Sequence, residues 1–423
     1  MSTSATTTTG ANGLRARLGA VNTEAFRLHN AGVVYALFVL VVTLVIATAV
    51  TGRPPYLSAI NTANVFDQAT QVGILAVFMT IVLISGNFDL SIGATGALAA
   101  GVTLMTLNHA SVWVAILVGL GIGTLVGLVN GLLVQIVGIN AFIVTLGALT
   151  AVRGVLLILT NGESIVTAKT SLNSLVDGPA PLNLRWTSVA VGAIVVAGGL
   201  YMIKRTRDLQ RPFDLGAAGA VLAGLALVIV GIAAFPTHWP LTKQVWVLFA
   251  VTIVAWFVLS YTAVGRRLYA VGGNTEAARL SGIDIARYKI VPFVLNGFAA
   301  AVVGILYAGR FEAINPNALS GIELTVLAAA ILGGTSLFGG SGSVVKTVVG
   351  ALILFVLANG FNILNLGANY QPLIQGLVIV GAAAIYVVAG RRASAQKVRT
   401  GEIHDLPSSP DEVERQSVGE PTR

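Results

Sequence analysis

The chain has 423 residues, of which 55% are hydrophobic and only 10% charged, and its mean hydropathy is +0.85. A soluble domain carries about 25% charged residues, so this composition excludes an ordinary water-soluble protein and marks a polytopic all-α membrane protein. The net charge of +8 is no nucleic-acid signal, because the basic residues gather between apolar runs rather than on one exposed face.

Taken in chain order, residues 1–30 are rich in Ser and Thr and read as a disordered arm. The first apolar run ends in Ala47-Thr48-Ala49, which resembles a signal-peptide cleavage site. The run is nevertheless about 18 residues long and follows about 30 polar ones, features of an uncleaved signal-anchor. Hydropathy windows then give about twelve helices within a transmembrane domain covering 31–390. They are expected near 31–50, 68–85, 90–107, 112–137, 140–160 and 186–203, then near 215–235, 243–262, 290–308, 320–335, 343–363 and 370–390. Residues 391–423, with Pro407, Pro410 and several acids, read as a second disordered arm.

Alternate loops differ in charge. One set holds Arg15, Arg17 and Arg27, then Lys204 to Arg211, the Arg266 to Lys289 group, Lys346, and Arg391 to Arg399. The other holds only Arg53, Lys169, Arg185, Lys243 and Arg310. That asymmetry places both termini in the cytoplasm. With no cysteine, disulfides and thiolate metal sites are excluded, and the scattered His29, His109, His238 and His404 make no metal cluster.

Within the spans, Gly119, Gly123, Gly127 and Gly131 recur every fourth residue, a stripe that lets another helix approach closely. Asn130, Asn296 and Asn359 are intramembrane amides, read first as interhelical hydrogen bonds and second as contacts along a substrate path. Asn130-Gly131, Gly138, Asn140 and Gly147 recur at identical spacing as Asn359-Gly360, Gly367, Asn369 and Gly376. The offset is seven helices, an odd number, so the two copies would run in opposite directions as an inverted repeat.

Ionisable groups in such spans are costly and therefore informative. Asp89, in Gly86-Asn87-Phe88-Asp89-Leu90-Ser91-Ile92-Gly93, falls between two spans, where the glycines can break a helix. Asp89 and Ser91 can then satisfy freed backbone N–H groups, a reading placed ahead of substrate contact. Arg153 sits inside the fifth span and must face protein or a watery cavity. Arg310, Glu312 and Glu323 fall near the outer face, where docking or substrate entry could use them, or where they form a solvated loop.

The segment Gly272-Gly273-Asn274-Thr275-Glu276-Ala277-Ala278-Arg279-Leu280-Ser281-Gly282 is polar, lies between long apolar runs, and is bracketed by Arg266, Arg267, Arg287 and Lys289. Asn274 or Thr275 can cap a short helix, Glu276 suits its positive N-terminus, and Gly282 can end it in a left-handed turn. The result is a stubby helix at a membrane surface, suited to being gripped by another protein. An ordinary loop is the bland alternative.

Three blocks carry a family resemblance. Arg267 to Asn274 with Glu276 to Gly282 resembles the coupling loop of ribose/xylose-type ABC importer permeases. Asp89-Leu90-Ser91-Ile92-Gly93 resembles that family's Gly-Gly-x-Asp-Leu-Ser-x-Gly signature, with Asn87 in place of the second glycine. Gly333 to Gly342 resembles its glycine-rich loop, while Thr325 stands where members often carry Asp. The helix pair near 186–240 resembles the longer xylose-type members.

The resemblance implies a bacterial inner-membrane subunit that moves a sugar inward by alternating access, as a homodimer surrounded by membrane lipid. An extracytoplasmic binding protein would deliver the sugar, and a separate ATPase with ATP and Mg would supply energy. Arg266, Arg267, Asn274, Glu276, Ala277, Ala278, Arg279 and Gly282, within the 263–289 loop, would dock that ATPase. Asp89, Asn130, Arg153, Asn296 and Asn359 are the candidate path residues. No Gly-x-x-x-x-Gly-Lys-Ser/Thr phosphate loop occurs in the sequence, so ATP hydrolysis is expected on a partner; as a translocation subunit, this chain is expected to have no catalytic residue and no cofactor or metal of its own. Other cargoes for the same machinery, such as branched-chain amino acids, nucleosides or a signalling sugar, stay open. So does a self-contained secondary transporter using Asp89 and Arg153. A zwitterion wants paired charges, whereas a polyol wants amides, hydroxyls and aromatic faces, which Asn130, Asn296, Asn359, Trp113 and Tyr307 offer.

Overall fold

The computed structural model describes residues 28–180 and 241–366 continuously, with isolated positions in 186–229 and 373–381. One compact unit extends to Ala368; of a second, from Asn369, only isolated positions are described. The elements in order are α1 (Leu28–Val50), α2 (Ala59–Ile84), α3 (Ile92–His109), α4 (Val112–Leu132), α5 (Ala141–Thr160) and β1 (Ile165–Val166). They continue with α6 (Ser171–Val176), α7 (Lys243–Tyr261), α8 (Ala263–Gly273), α9 (Thr275–Leu280), α10 (Ile285–Phe311), β2 (Ala313–Ile314), α11 (Ile322–Leu332) and α12 (Val344–Leu364). A π-turn over Leu133–Val137 extends α4 until Gly138, at φ +82°, stops it.

Seven described helices are long and apolar enough to cross a membrane: α1, α2, α4 with its extension, α5, α7, α10 and α12. The chain is thus a polytopic all-α membrane protein. Nine of the expected helices fall on α1–α5, α7 and α10–α12, of which α3 and the 11-residue α11 are not among those seven. Those near 186–203, 215–235 and 370–390 lie outside the continuously described residues, as do the whole of the second expected arm and all of the first but residues 28–30. Two boundaries differ because hydropathy windows avoid charge. The helix expected from 68 begins at Ala59 and carries Asp67 inside it, and the helix expected from 290 begins at Ile285 and carries Arg287 and Lys289.

Polar side chains mark the helix starts. Ser58, Ser111, Asn140, Thr262, Asn274, Asp284 and Ser343 each accept a hydrogen bond from a backbone N–H in the first turn of the following helix. In a chain this poor in polar groups, such caps fix where each helix begins.

The central helix is α10, packed between α3 and α4. The glycine stripe of α4 makes this possible. A Cβ on Gly123 would sit 2.5 Å from the Gly297 carbonyl oxygen, and one on Gly127 would overlap the Phe293 carbonyl oxygen. Gly131 faces Ile290, while Gly119 faces Thr103 of α3. From Gly123 to Gly131, backbone of α4 therefore meets α10 over about two turns, the close approach that small residues permit in membranes.

At one end of the bundle, β1 pairs antiparallel with β2, Ile165 opposite Ile314. Nearby, Arg310 forms an ion pair with Asp67, whose other oxygen accepts from the Thr242 hydroxyl at 2.7 Å. The opposite end carries α8 and α9, and is called the α9 side below.

Candidate functional site

Three substructures converge on the α9 side. The first is α9 itself, six residues long. Asn274 caps it, its side-chain oxygen accepting from Ala277 N–H at 3.0 Å. Gly282 N–H donates to the Arg279 carbonyl at 2.9 Å and Ile283 N–H to the Ala278 carbonyl at 3.1 Å. This pair of bonds around a left-handed residue is a Schellman closure, and Gly282 has φ +75°. Glu276 and Arg279 pair across one turn at 2.5 Å, both exposed.

Sequence placed Ala278 on the docking surface, but the structure buries it. The helix phase turns Ala278 inward and leaves Glu276, Ala277, Arg279 and Leu280 outside, Leu280 being 82% exposed. Arg266 and Arg267 are exposed on α8. Phe338, in the loop between α11 and α12, is 94% exposed and adds a second apolar group on this side.

The second substructure is a joint made almost wholly of backbone, which sequence reasoning missed. The end of α8, the end of α2 and the α11–α12 loop meet at Gly272, Ile84 and Gly340. Gly340 N–H donates to the Ile84 carbonyl at 3.0 Å. A side chain on Gly272 would overlap that same carbonyl, and a Cβ on Gly339 would fall 2.7 Å from the Gly272 carbonyl oxygen. Tyr269 of α8 reinforces the joint by donating to the Gly342 carbonyl at 2.9 Å, and its burial pushes the phenol pKa up. The signal was there in two distant glycine pairs, but nothing local tells that they touch.

The third begins at Asp89, three residues beyond Gly86. Asp89 Oδ1 accepts from Ser91 N–H at 2.9 Å and from the Ser91 hydroxyl at 2.6 Å. Asn130 of α4 donates its amide to the Ser91 hydroxyl oxygen at 2.9 Å, and Asn296 of α10 donates to Asp89 Oδ2 at 3.1 Å. The spacing Asp-x-Ser is what lets the carboxylate take the backbone N–H two residues on. Asp89, Ser91, Asn130 and Asn296 are each at most 2% exposed. In hydrocarbon surroundings such groups must satisfy one another, and here they tie the break between α2 and α3 to α4 and α10. The Asn296 side-chain oxygen has no partner among the described residues.

The remaining sequence candidates lie apart. Arg153 of α5 donates to the carbonyls of Pro316 and Ala318 at 2.6 and 2.8 Å. Asn359 of α12 donates to the Asn61 side chain of α2 at 2.9 Å. Asp89, Asn130 and Asn296 thus meet in one cluster, while Arg153 and Asn359 each bind a separate partner. In this conformation the three clustered residues face one another rather than an open passage.

Comparison with known proteins shows the family. Residues 61–383 match the family model described as branched-chain amino acid transport system / permease component. The xylose transport system permease protein XylH of Escherichia coli strain K12 is 32% identical over 369 residues, covering 85% of this chain and 93% of that protein. The ribose import permease protein RbsC of the same organism is 33% identical over 346 residues, covering 81% and 90%. The chain is a ribose/xylose-type ABC permease. Another xylose permease, from Haemophilus influenzae, is 32% identical over 364 residues, covering 83% of this permease and 95% of its own length. No solved structure matches. The joint at Gly272 brings the first and third of the blocks quoted from the sequence into backbone contact, and a Cβ on Gly339 would fall 2.9 Å from the Cα of Gly86, three residues ahead of Asp89 in the second.

Proposed function

We propose that this permease forms the translocation path of an importer for a neutral monosaccharide, pentoses such as xylose ahead of hexoses. A separate ATPase grips α9, and an extracytoplasmic binding protein delivers the sugar. Two copies enclose the path, both termini and α9 face the cytoplasm, and the full chain has twelve spans built as an inverted repeat. The observation that carries this reading is the continuity from α9 to Asp89. An exposed, doubly capped helix is joined through Gly272 and Gly340 to Ile84 at the end of α2, five residues before Asp89 in the segment that ties α4 and α10 together. A push on α9 therefore reaches the intramembrane cluster through packed backbone, which moves as a body rather than by bending. Opening of that cluster would turn Asn130 and Asn296 toward the path.

Sugar is favoured over a zwitterion by chemistry as well as by relatedness. The buried amides and hydroxyl beside Asp89 suit a polyol, and Arg153 is already taken by two carbonyls.

Reconstitution with the ATPase and binding protein tests the coupling. Among the described residues nothing lies within 4 Å of a Cβ on Gly282, so Gly282→Val changes only backbone preference, at about 1–2 kcal/mol for a left-handed non-glycine residue. The expected outcome is ATP hydrolysis that continues while xylose uptake falls several-fold. Unchanged uptake per folded permease would rule out α9 as the coupling element.

A further inference from the structure

A cavity of about 540 Å³ opens beside the site just described. Its walls are Ile81 of α2, Val254 and Val258 of α7, Leu268 of α8, and Leu295 and Phe298 of α10. Val254 is 62% exposed, so the groove faces outward from the chain. The walls offer a sugar almost no hydrogen-bonding group. Charge enters only at one end, where Arg287 in the first turn of α10 completes the lining beside Tyr288. The Arg287 side chain is exposed and makes no hydrogen bond or ion pair among the described residues; its backbone N–H is held by the Asp284 cap.

We infer that this groove holds one acyl chain of an anionic phospholipid, with the headgroup phosphate on Arg287. Dimensions support one leaflet's chain. Along α7 the groove runs from Ala250 to Leu259, about 14 Å at 1.5 Å per residue, against about 15 Å for half of a hydrocarbon core. Depth agrees too. Trp256 and Phe257 pack on Tyr261 at the end of α7, an aromatic group of the kind found at the membrane–water boundary, and Arg287 lies at that same end. Arginine there meets phosphate with paired N–H donors, while the walls match only methylenes. The lipid would sit against Leu268 of α8, one turn before Gly272, so the site touches the element that carries motion inward.

Native mass spectrometry of the purified permease tests this, with phosphatidylglycerol and phosphatidylcholine offered at equal concentration. One tightly held phosphatidylglycerol per chain is expected, preferred roughly tenfold, the worth of one charge-assisted contact of about 1.5 kcal/mol. Arg287→Gln should abolish the preference, Arg287→Lys should keep most of it, and Val254→Trp should remove bound lipid altogether. Both positions are exposed, and size-exclusion profiles establish that each variant folds. Glycerol 3-phosphate should not displace the lipid. Equal retention of both lipids, an unaltered preference in Arg287→Gln, or displacement by glycerol 3-phosphate would overturn the assignment. So would efficient disulfide formation between two Val254→Cys chains, which would place a second copy over the groove.

Discussion

Gly272 and Gly273 are neighbours in sequence with opposite surroundings. A Cβ on Gly272 would overlap the Ile84 carbonyl, whereas one on Gly273 would meet the Gly340 Cα at an ordinary 3.7 Å. Gly272→Ala should therefore open the joint and raise the ATP hydrolysed per sugar moved, while Gly273→Ala should leave that ratio within about twofold, as expected when a substitution meets no close contact. Measuring hydrolysis and uptake in the same proteoliposomes separates the two. Arg153→Gln is the second test at this scale. The arginine holds two backbone carbonyls, so its loss should lower folded yield, by an interaction worth about 1–3 kcal/mol, without changing which sugars are taken. A switch in the charge preferred in the substrate, at normal yield, would replace the neutral-sugar reading with an anionic or zwitterionic cargo. At this scale sequence is readable wherever contacts are local. Asp89 and Ser91 bond across two residues, and Asn274 and Gly282 frame α9, as their types and spacing imply. The Ile84–Gly272–Gly340 contact joins segments far apart in the chain, and Asp67 finds Arg310 only through the fold, so neither could be read.

Among elements, α4 and α10 owe their contact to the spacing of glycine on one face, and the opposite face of α4 gives a control. A Cβ on Gly121 would have no described atom within 4 Å, while one on Gly127 would abut the Phe293 carbonyl. Gly127→Ala should cost about 1–3 kcal/mol, as overpacking does, seen as a lower melting temperature in detergent. Gly121→Ala should leave that temperature unchanged or slightly higher. Equal effects at the two positions would mean that the stripe does not set helix contact. The stripe was visible as a period of four; its partner was not, because periodicity marks a face without saying what covers it. The same limit misplaced Ala278, whose inward turn depends on how α9 lies against α10.

For the whole molecule, orientation is the accessible question. The Lys204 to Arg211 segment carries four basic residues within a short loop and should face the cytoplasm. The chain has no cysteine, so a single Thr206→Cys substitution gives a clean probe. An impermeant thiol reagent applied to intact cells should leave it unlabelled, with labelling only after the membrane is opened. Ready labelling from outside would reverse the proposed topology. Membrane class and the seven long apolar helices were legible because hydrocarbon imposes length and apolarity on a crossing segment. Charge-bearing boundaries were not, since an ion pair such as Asp67–Arg310 hides a charge that a hydropathy window counts as exposed.

The helix α10 is fixed at an interior point by the Asn296–Asp89 bond, and that point is off centre. From Ile285 to Asn296 is roughly 17 Å and from Asn296 to Phe311 roughly 23 Å, at 1.5 Å per residue. Tilting about this fulcrum would give a mechanical advantage below one: the Phe311 end would sweep about 1.4 times the distance travelled at Ile285. Pro292 lies on the shorter arm, one turn from the fulcrum, where any give in the helix would absorb stroke before it is amplified. The far end, held by Arg310 to Asp67, would then set how much of that sweep is released in each cycle.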